Sequence, residues 1–250
     1  MSSPAERYAA ARRRAAETRQ FPALAEFALD LGFDLDDFQR KACQALERGS
    51  GVLVCAPTGA GKTVVGEFAV FLALRGGPGA GHRRGSDSDR PERTDADGEP
   101  AGPRVRKCFY TTPIKALSNQ KYHDLVARHG ADRVGLLTGD NAINGDAPVV
   151  VMTTEVLRNM LYAGSPTLNG LAYVVMDEVH YLADRFRGGV WEEVIIHLPA
   201  SVTLVSLSAT VSNAEEFADW LVTVRGETEV VVSEHRPVPL WQHMLVGRRM

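Results

Sequence analysis

The sequence has only three cysteines, Cys43, Cys55 and Cys108, in 250 residues. None belongs to a C-x-x-C pair, and no histidine stands at zinc-ligand spacing from them, so neither a disulfide framework nor a structural zinc organises this chain. Cys55 and Cys108 sit in apolar runs, the setting of a small buried thiol. No apolar run approaches the length that crosses a bilayer. The opening "MSSPAERYAAARRRAAET" lacks the apolar core of a secretory signal. A cytoplasmic protein is expected. Excess charge is missing too: the formal net charge of -3 gives no global pull towards nucleic acid or anionic membranes, so any such contact must be local. The remainder, 44% hydrophobic and 24% charged, suffices for one large α/β core or two small ones.

Residues 5–19 read as a helix whose Arg12, Arg13 and Arg14 form a solvated basic face. "PALAEFALDLG" predicts a second helix ending at Gly32. "LDDFQRKACQALERG" predicts a third, with acids at its start and Gly49 just past its end. From Gly51 the rhythm changes. Apolar runs at 51–55, 106–112, 133–137, 148–152, 171–176, 202–208 and 228–233 read as strands, with helical patterns between most of them. The alternation predicts a mainly parallel sheet covered on both faces, a three-layer α/β/α fold. Residues 76–103 hold glycine, proline and charge but almost nothing apolar. They cannot offset the entropy of ordering, so a disordered insertion is expected there.

Two motifs carry chemistry. "APTGAGKT" (56–63) follows the first strand and opens a helix, the context of a phosphate-binding loop. Gly59 and Gly61 let the backbone turn its N–H groups towards phosphate oxygens, and the helix start adds a favourable dipole. Lys62 reaches the β and γ phosphates, and Thr63 offers its hydroxyl to Mg²⁺. In "YVVMDEVHYL" (173–182) the acids Asp177 and Glu178 stand at a strand end. By itself such a pair reads as a helix N-cap. Ligands of open parallel sheets bind beyond the carboxyl ends of the strands, and the loop and the acids both lie there. Beside the loop, Asp177 is the candidate for Mg²⁺ and Glu178 for orienting and deprotonating water.

"APTGAGKT", "DEVH" and "SAT" (208–210), in that order, resemble motifs I, II and III of superfamily 2 helicases. "FYTTPIKALSNQKY", "LLTGD" and "TTEVLRNMLY" are similar to the strand-binding motifs of the first motor domain. "HYLADRFRGGVWEEVIIHLP" and "RPVPL" resemble the superkiller-type DExH RNA helicases. The resemblance spans roughly residues 20–245. It implies a RecA-like P-loop NTPase domain over 33–235, with 1–32 a helical extension and 236–250 the start of an inter-domain segment. It implies that Pro57, Thr58, Gly59, Ala60, Gly61, Lys62 and Thr63 hold ATP, with Thr63 and Asp177 on Mg²⁺, and that Lys62, Asp177, Glu178 and His180 are catalytic. Phe33 would pack on adenine and Gln39 would bond its edge, although core packing and a helix-surface amide are the plainer readings. His180 would link the nucleotide to Ser208, Ala209 and Thr210. Thr112, Pro113, Lys115, Thr138, Thr153 and Thr154 would meet an RNA backbone, contacts that carry little sequence information. Such contacts leave DNA open as the substrate, because they need not sense the 2′-hydroxyl. No arginine-rich motif follows "SAT", so a second RecA-like domain is expected in a longer protein and this chain alone should not unwind duplexes.

Overall fold

The structure, a computed structural model, describes residues 8, 12, 16–76, 106–185, 188–209, 214–237 and 241. The elements in chain order are α1 (Pro22–Leu31), α2 (Asp37–Arg48), β1 (Gly51–Cys55), α3 (Thr63–Arg75), β2 (Lys107–Thr112), α4 (Lys115–His129), β3 (Val134–Leu137), β4 (Ala142–Ile143), β5 (Val149–Thr153), α5 (Thr154–Tyr162), β6 (Leu171–Met176), α6 (Gly188–His197), β7 (Thr203–Ser208), α7 (Ala214–Arg225) and β8 (Thr228–Val232). Short 3-10 turns cover Pro166–Leu168 and Val179–Ala183. Every apolar run read as a strand is one, with ends within one residue of expectation. Of the helix expected at 5–19, residues 8, 12 and 16–20 are described and helical. The insertion expected at 76–103 lies outside the described residues after Gly76, as do Arg13 and Arg14.

The strands form one sheet in the order β4-β3-β5-β2-β6-β7-β1-β8. All neighbours are parallel except β3 and β4. The sequence gives no sign of β4. It is two exposed residues inside "DNAING", formed where the chain reverses at Asn144 (φ 44°), whose amide donates to the carbonyls of Ala131 and Asp132.

The two-residue period of a strand sends alternate side chains to opposite faces. Val52, Val54, Cys108, Tyr110, Val175, Val205 and Leu207 point to the face covered by α1, α2, α3 and α4. Leu53, Cys55, Phe109, Val174, Met176 and Leu204 point to the face covered by α5, α6 and α7. Both faces are covered by helices, which is why the strands read as continuous apolar runs. This is the expected three-layer α/β/α architecture with a mostly parallel sheet. α1 belongs to the same core: Phe27 meets Phe68 and Phe71 of α3 at ring separations of 5.2 and 5.4 Å. Phe21 at its N-cap has no side-chain oxygen to offer, and Glu47 of α2 accepts from Ala23 N–H and Leu24 N–H instead, each at 2.8 Å.

Arg225 closes the opposite face. Its guanidinium donates to the carbonyls of Leu198 (2.6 Å), Pro199 (2.9 Å) and Val202 (2.9 Å), satisfying the backbone between α6 and β7. A lysine has no planar fork to reach three carbonyls at once. Arg225→Lys is expected to destabilise the fold by about 1.5–3 kcal/mol, the scale of a lost hydrogen bond to a charged group, read by chemical denaturation.

Candidate nucleotide and nucleic-acid site

The parallel pairing puts the carboxyl ends of β6, β7 and β1 side by side. Cys55 is level with Ser208, and Ser206 with Met176. The 56–63 loop leaves β1 and the acids leave β6, so one strand separates them. Two inter-strand spacings make about 10 Å, a gap that a metal-bound polyphosphate spans.

The loop adopts the turn its glycines require. Gly59 and Gly61 have φ of +85° and +81°, a region closed to residues with a Cβ except under strain. Thr58, Gly59 and Gly61 face solvent, Pro57 and Ala60 are buried, and Thr63 is half-buried at the first turn of α3. Lys62 is 8% exposed, and its Nζ donates to the carbonyls of Ala56 (2.7 Å) and Pro57 (3.2 Å). Burial pushes its pKa down, while Glu178, Asp177 and Cys55 pull the other way. The ammonium therefore stands in the field of both acids, held by two neutral carbonyls.

Both oxygens of Asp177 are engaged from within. Oδ2 accepts from the Tyr110 hydroxyl at 2.9 Å, and Oδ1 from Glu178 N–H at 2.9 Å. The Asp177 N–H donates to Thr111 O at 3.0 Å, extending the β2–β6 ladder by one bond. Glu178 has φ 54° and ψ 43°, a left-handed conformation that costs a residue with a side chain about 1–3 kcal/mol and clusters at functional positions. That kink ends β6 and starts the Val179–Ala183 turn. His180 Nδ1 lies 3.2 Å from Glu178 Oε2, an ion pair when the imidazole is protonated, but out of line for a hydrogen bond.

Between the loop and the acids stands Ser208, last residue of β7. Its Oγ is buried and has no hydrogen-bond partner, like Ser206 Oγ and His180 Nδ1. Ala209 follows half-buried, and Thr210 lies outside the described residues. On the far side of the loop, Gln39 is 4% exposed with both ends of its amide committed. Its Oε1 accepts from Asp36 N–H (2.9 Å), closing the capping box of α2, and its Nε2 donates to Gly61 O (3.0 Å). Gln39 thus braces the phosphate loop. Phe33 is 53% exposed and lines a cleft of about 290 Å³ with Phe21, Leu24, Ala28 and Arg40; no residue of the 56–63 loop lines it.

The six candidates for nucleic-acid contact lie on the other half of the same edge, past β2, β5 and β3. Thr112 and Thr154, expected to offer hydroxyls to nucleic acid, engage them inside the fold. These residues are 1% and 0% exposed, and their hydroxyls turn inward. Thr112 Oγ1 donates to Ile114 O (3.1 Å) and meets Ser118 Oγ (2.7 Å), while Thr154 Oγ1 lies 3.5 Å from Thr112 O. They fasten the starts of α4 and α5 to each other. Pro113 and Thr153 are buried too. Lys115 is exposed and pairs with Asp140, and Thr138 is half-buried with Oγ1 accepting from Asn141 N–H (3.2 Å). Neither α4 nor α5 has a side-chain N-cap bond, so their first-turn N–H groups remain for an outside acceptor.

The description "DEAD/DEAH box helicase" matches residues 36–217. The chain belongs to the DEAD/DEAH box helicase family. It is 66% identical over 227 residues to "Probable helicase HelY" of Mycobacterium tuberculosis (strain ATCC 25618 / H37Rv), covering 91% of this chain and 22% of that protein. It is 46% identical over 214 residues to "ATP-dependent RNA helicase mtr4" of Schizosaccharomyces pombe, covering 85% of this chain and 16% of that one. Among solved structures, Mycobacterium smegmatis helicase Lhr bound to ssDNA and AMP-PNP is similar at a TM-score of 0.60 and 26% identity, over 84% of this chain and 27% of that chain. This DEAD/DEAH box helicase domain therefore spans about a fifth of the length of the curated relatives it matches. No described helix is long and apolar enough to cross a membrane.

Membership in this helicase family implies ATP, usually with Mg²⁺, and the residues present fit both. Mg²⁺ at phosphate sites is held by one or two carboxylates together with phosphate oxygens and water. A hydroxyl at Thr63 and a carboxylate at Asp177 make such a donor set, and among the described residues no cluster of three or more His, Cys, Asp or Glu forms a protein-only cage. Sequence reasoning missed Tyr110. Its ring is level with Val175 in the β2–β6 register, and Asp177 lies two residues further on the same face. The link becomes readable only once β2 and β6 are known to be neighbours.

Proposed function

We propose that this domain is the ATP-binding motor half of an ATP-dependent RNA helicase, coupling ATP hydrolysis to movement along a single strand. The observation that carries this reading is the placement of the Lys62 loop and the Asp177–Glu178 pair on the same sheet edge with only β7 between them. The uncapped starts of α4 and α5 occupy the rest of that edge, where first-turn N–H groups, Lys115 and Thr138 suit phosphate and sugar oxygens. In this reading the 57–61 backbone and Lys62 bind the β and γ phosphates. Bound Mg²⁺ neutralises charge on those phosphates. Thr63 and Asp177 hold that cation. Glu178 orients a water and takes its proton as the water oxygen bonds to the γ-phosphorus and the bond to the β-phosphate oxygen breaks. Phe33 packs on the base, while Gln39, whose amide is committed to Asp36 and Gly61, steadies the phosphate loop rather than bonding the base edge. His180 with Ser208, Ala209 and Thr210 relays the state of the nucleotide. A second RecA-like domain in the full-length protein supplies arginines that stabilise the transferring phosphoryl group, an effect of about 10³–10⁵ in rate in related NTPases. The setting is cytoplasmic.

The test is ATP turnover by the full-length protein with matched single strands of RNA and DNA. Stimulation by RNA well above that by DNA supports the reading. Equal or greater stimulation by DNA makes it a DNA-directed motor, the reading favoured by the ssDNA-bound Lhr structure. Tight nucleotide and RNA binding without turnover makes it a non-catalytic module.

A further inference from the structure

Tyr110 takes no part in the chemistry above, yet its hydroxyl donates to the carboxylate that chemistry depends on. The residue is fully buried in β2, and its Oη lies 2.9 Å from Asp177 Oδ2. A buried phenol usually finds a hydrogen-bond partner. Here the acceptor is a charged side chain at the mouth of the site, whose other oxygen is pinned by Glu178 N–H. The carboxylate is thus fixed at both oxygens from the protein side, while the residue stays partly exposed.

The ring is fixed as firmly as the hydroxyl. At Gly66 of α3, a Cβ would come within 3.0 Å of Tyr110 Cε2, so the helix that begins at the phosphate loop rests directly on the ring. Lys121 of α4 sets its Nζ 5.2 Å from the ring centroid and bonds Glu67 Oε1 of α3 at 3.3 Å. Arg128 pairs with the same Glu67. The next residue, Thr111, accepts the Asp177 N–H at its carbonyl and donates its own hydroxyl to Val175 O at 3.2 Å. After it comes Thr112, which fastens the start of α4.

We propose that Tyr110 is a positioning residue for Asp177. Its hydroxyl fixes the cation-binding carboxylate against the phosphate-loop helix and ties it through β2 to the edge where α4 begins. This rests on the nucleotide reading of the site. Partners of metal ligands typically contribute 10–100-fold to metal affinity.

Tyr110→Phe keeps the ring that Gly66 and Lys121 touch and removes only the donor. In the full-length protein it is expected to raise the Mg²⁺ concentration for half-maximal ATP turnover about tenfold. ATP binding measured in EDTA stays unchanged, a separation that a general loss of structure does not produce. Site-specific 3-fluorotyrosine at position 110 retains the hydroxyl and restores the wild-type Mg²⁺ requirement. Its ¹⁹F resonance also supplies a readout if the phenylalanine variant does not fold: it shifts when Mg²⁺ is added to the complex with a nonhydrolysable ATP analogue. A wild-type Mg²⁺ requirement in a folded Tyr110→Phe, or a ¹⁹F resonance indifferent to Mg²⁺, overturns the proposal. A wild-type protein whose nucleotide binding ignores Mg²⁺ overturns instead the reading beneath it.

Discussion

Glu178→Gln is expected to lower ATP turnover by the full-length protein about 10²–10⁴-fold, the usual contribution of a positioned general base. The substitution keeps the shape of the side chain and removes its ability to take a proton. Nucleotide binding should survive, because the phosphates are gripped by the loop and by Asp177, and Glu178 contributes its N–H to Asp177 Oδ1 through a backbone group that the change leaves in place. The left-handed backbone at 178 is common to both side chains, so strain does not separate them. Phosphate release paired with equilibrium binding of a fluorescent ATP analogue reads both quantities. A parallel loss of affinity would assign Glu178 to binding; unchanged turnover would remove it from the chemistry.

Lys62→Ala produces the second large effect, on affinity. Truncating one partner of a buried charge pair costs about 2–5 kcal/mol, which at about 1.4 kcal/mol per tenfold is a loss of roughly thirtyfold to several thousandfold in nucleotide binding. The structure explains why so much rests on one ammonium. It is 8% exposed and poised on the Ala56 and Pro57 carbonyls, so its desolvation is largely complete before the phosphates arrive. The sign of the pH dependence follows. Protonated Lys62 attracts phosphate, and burial lowers its pKa in the free protein, so affinity declines with rising pH earlier than an exposed lysine would allow. Calorimetric titration of the variant and of the wild type across alkaline pH measures both. Wild-type affinity in Lys62→Ala would place the phosphates elsewhere.

The readable parts of this molecule were those set by local chemistry. Strands buried on both faces announce themselves as apolar runs, and helix ends at Gly32, Gly49 and Gly76 take the left-handed caps that glycine permits. The 56–63 loop was legible because its glycines, lysine and threonine are required by its turn and its charge. The features hidden from the sequence depend on which strands are neighbours. Tyr110 meets Asp177 only because β2 lies beside β6. Gln39 looks like a surface amide until α2 is seen to dock its capping box against Gly61. Thr112 and Thr154 match a nucleic-acid motif by type, yet their burial turns them into fasteners of the helix starts. A two-residue strand such as β4 has too little sequence to carry a period.

The most direct measurement is a crystal structure of this domain with Mg²⁺ and a nonhydrolysable ATP analogue. The account predicts one cation bridging Thr63 Oγ1, the Asp177 carboxylate and the β and γ phosphates, with Lys62 Nζ moved from the Ala56 and Pro57 carbonyls onto those phosphates. A nucleotide bound with its phosphates away from this loop, or a cation that leaves Asp177 uncoordinated, would contradict it.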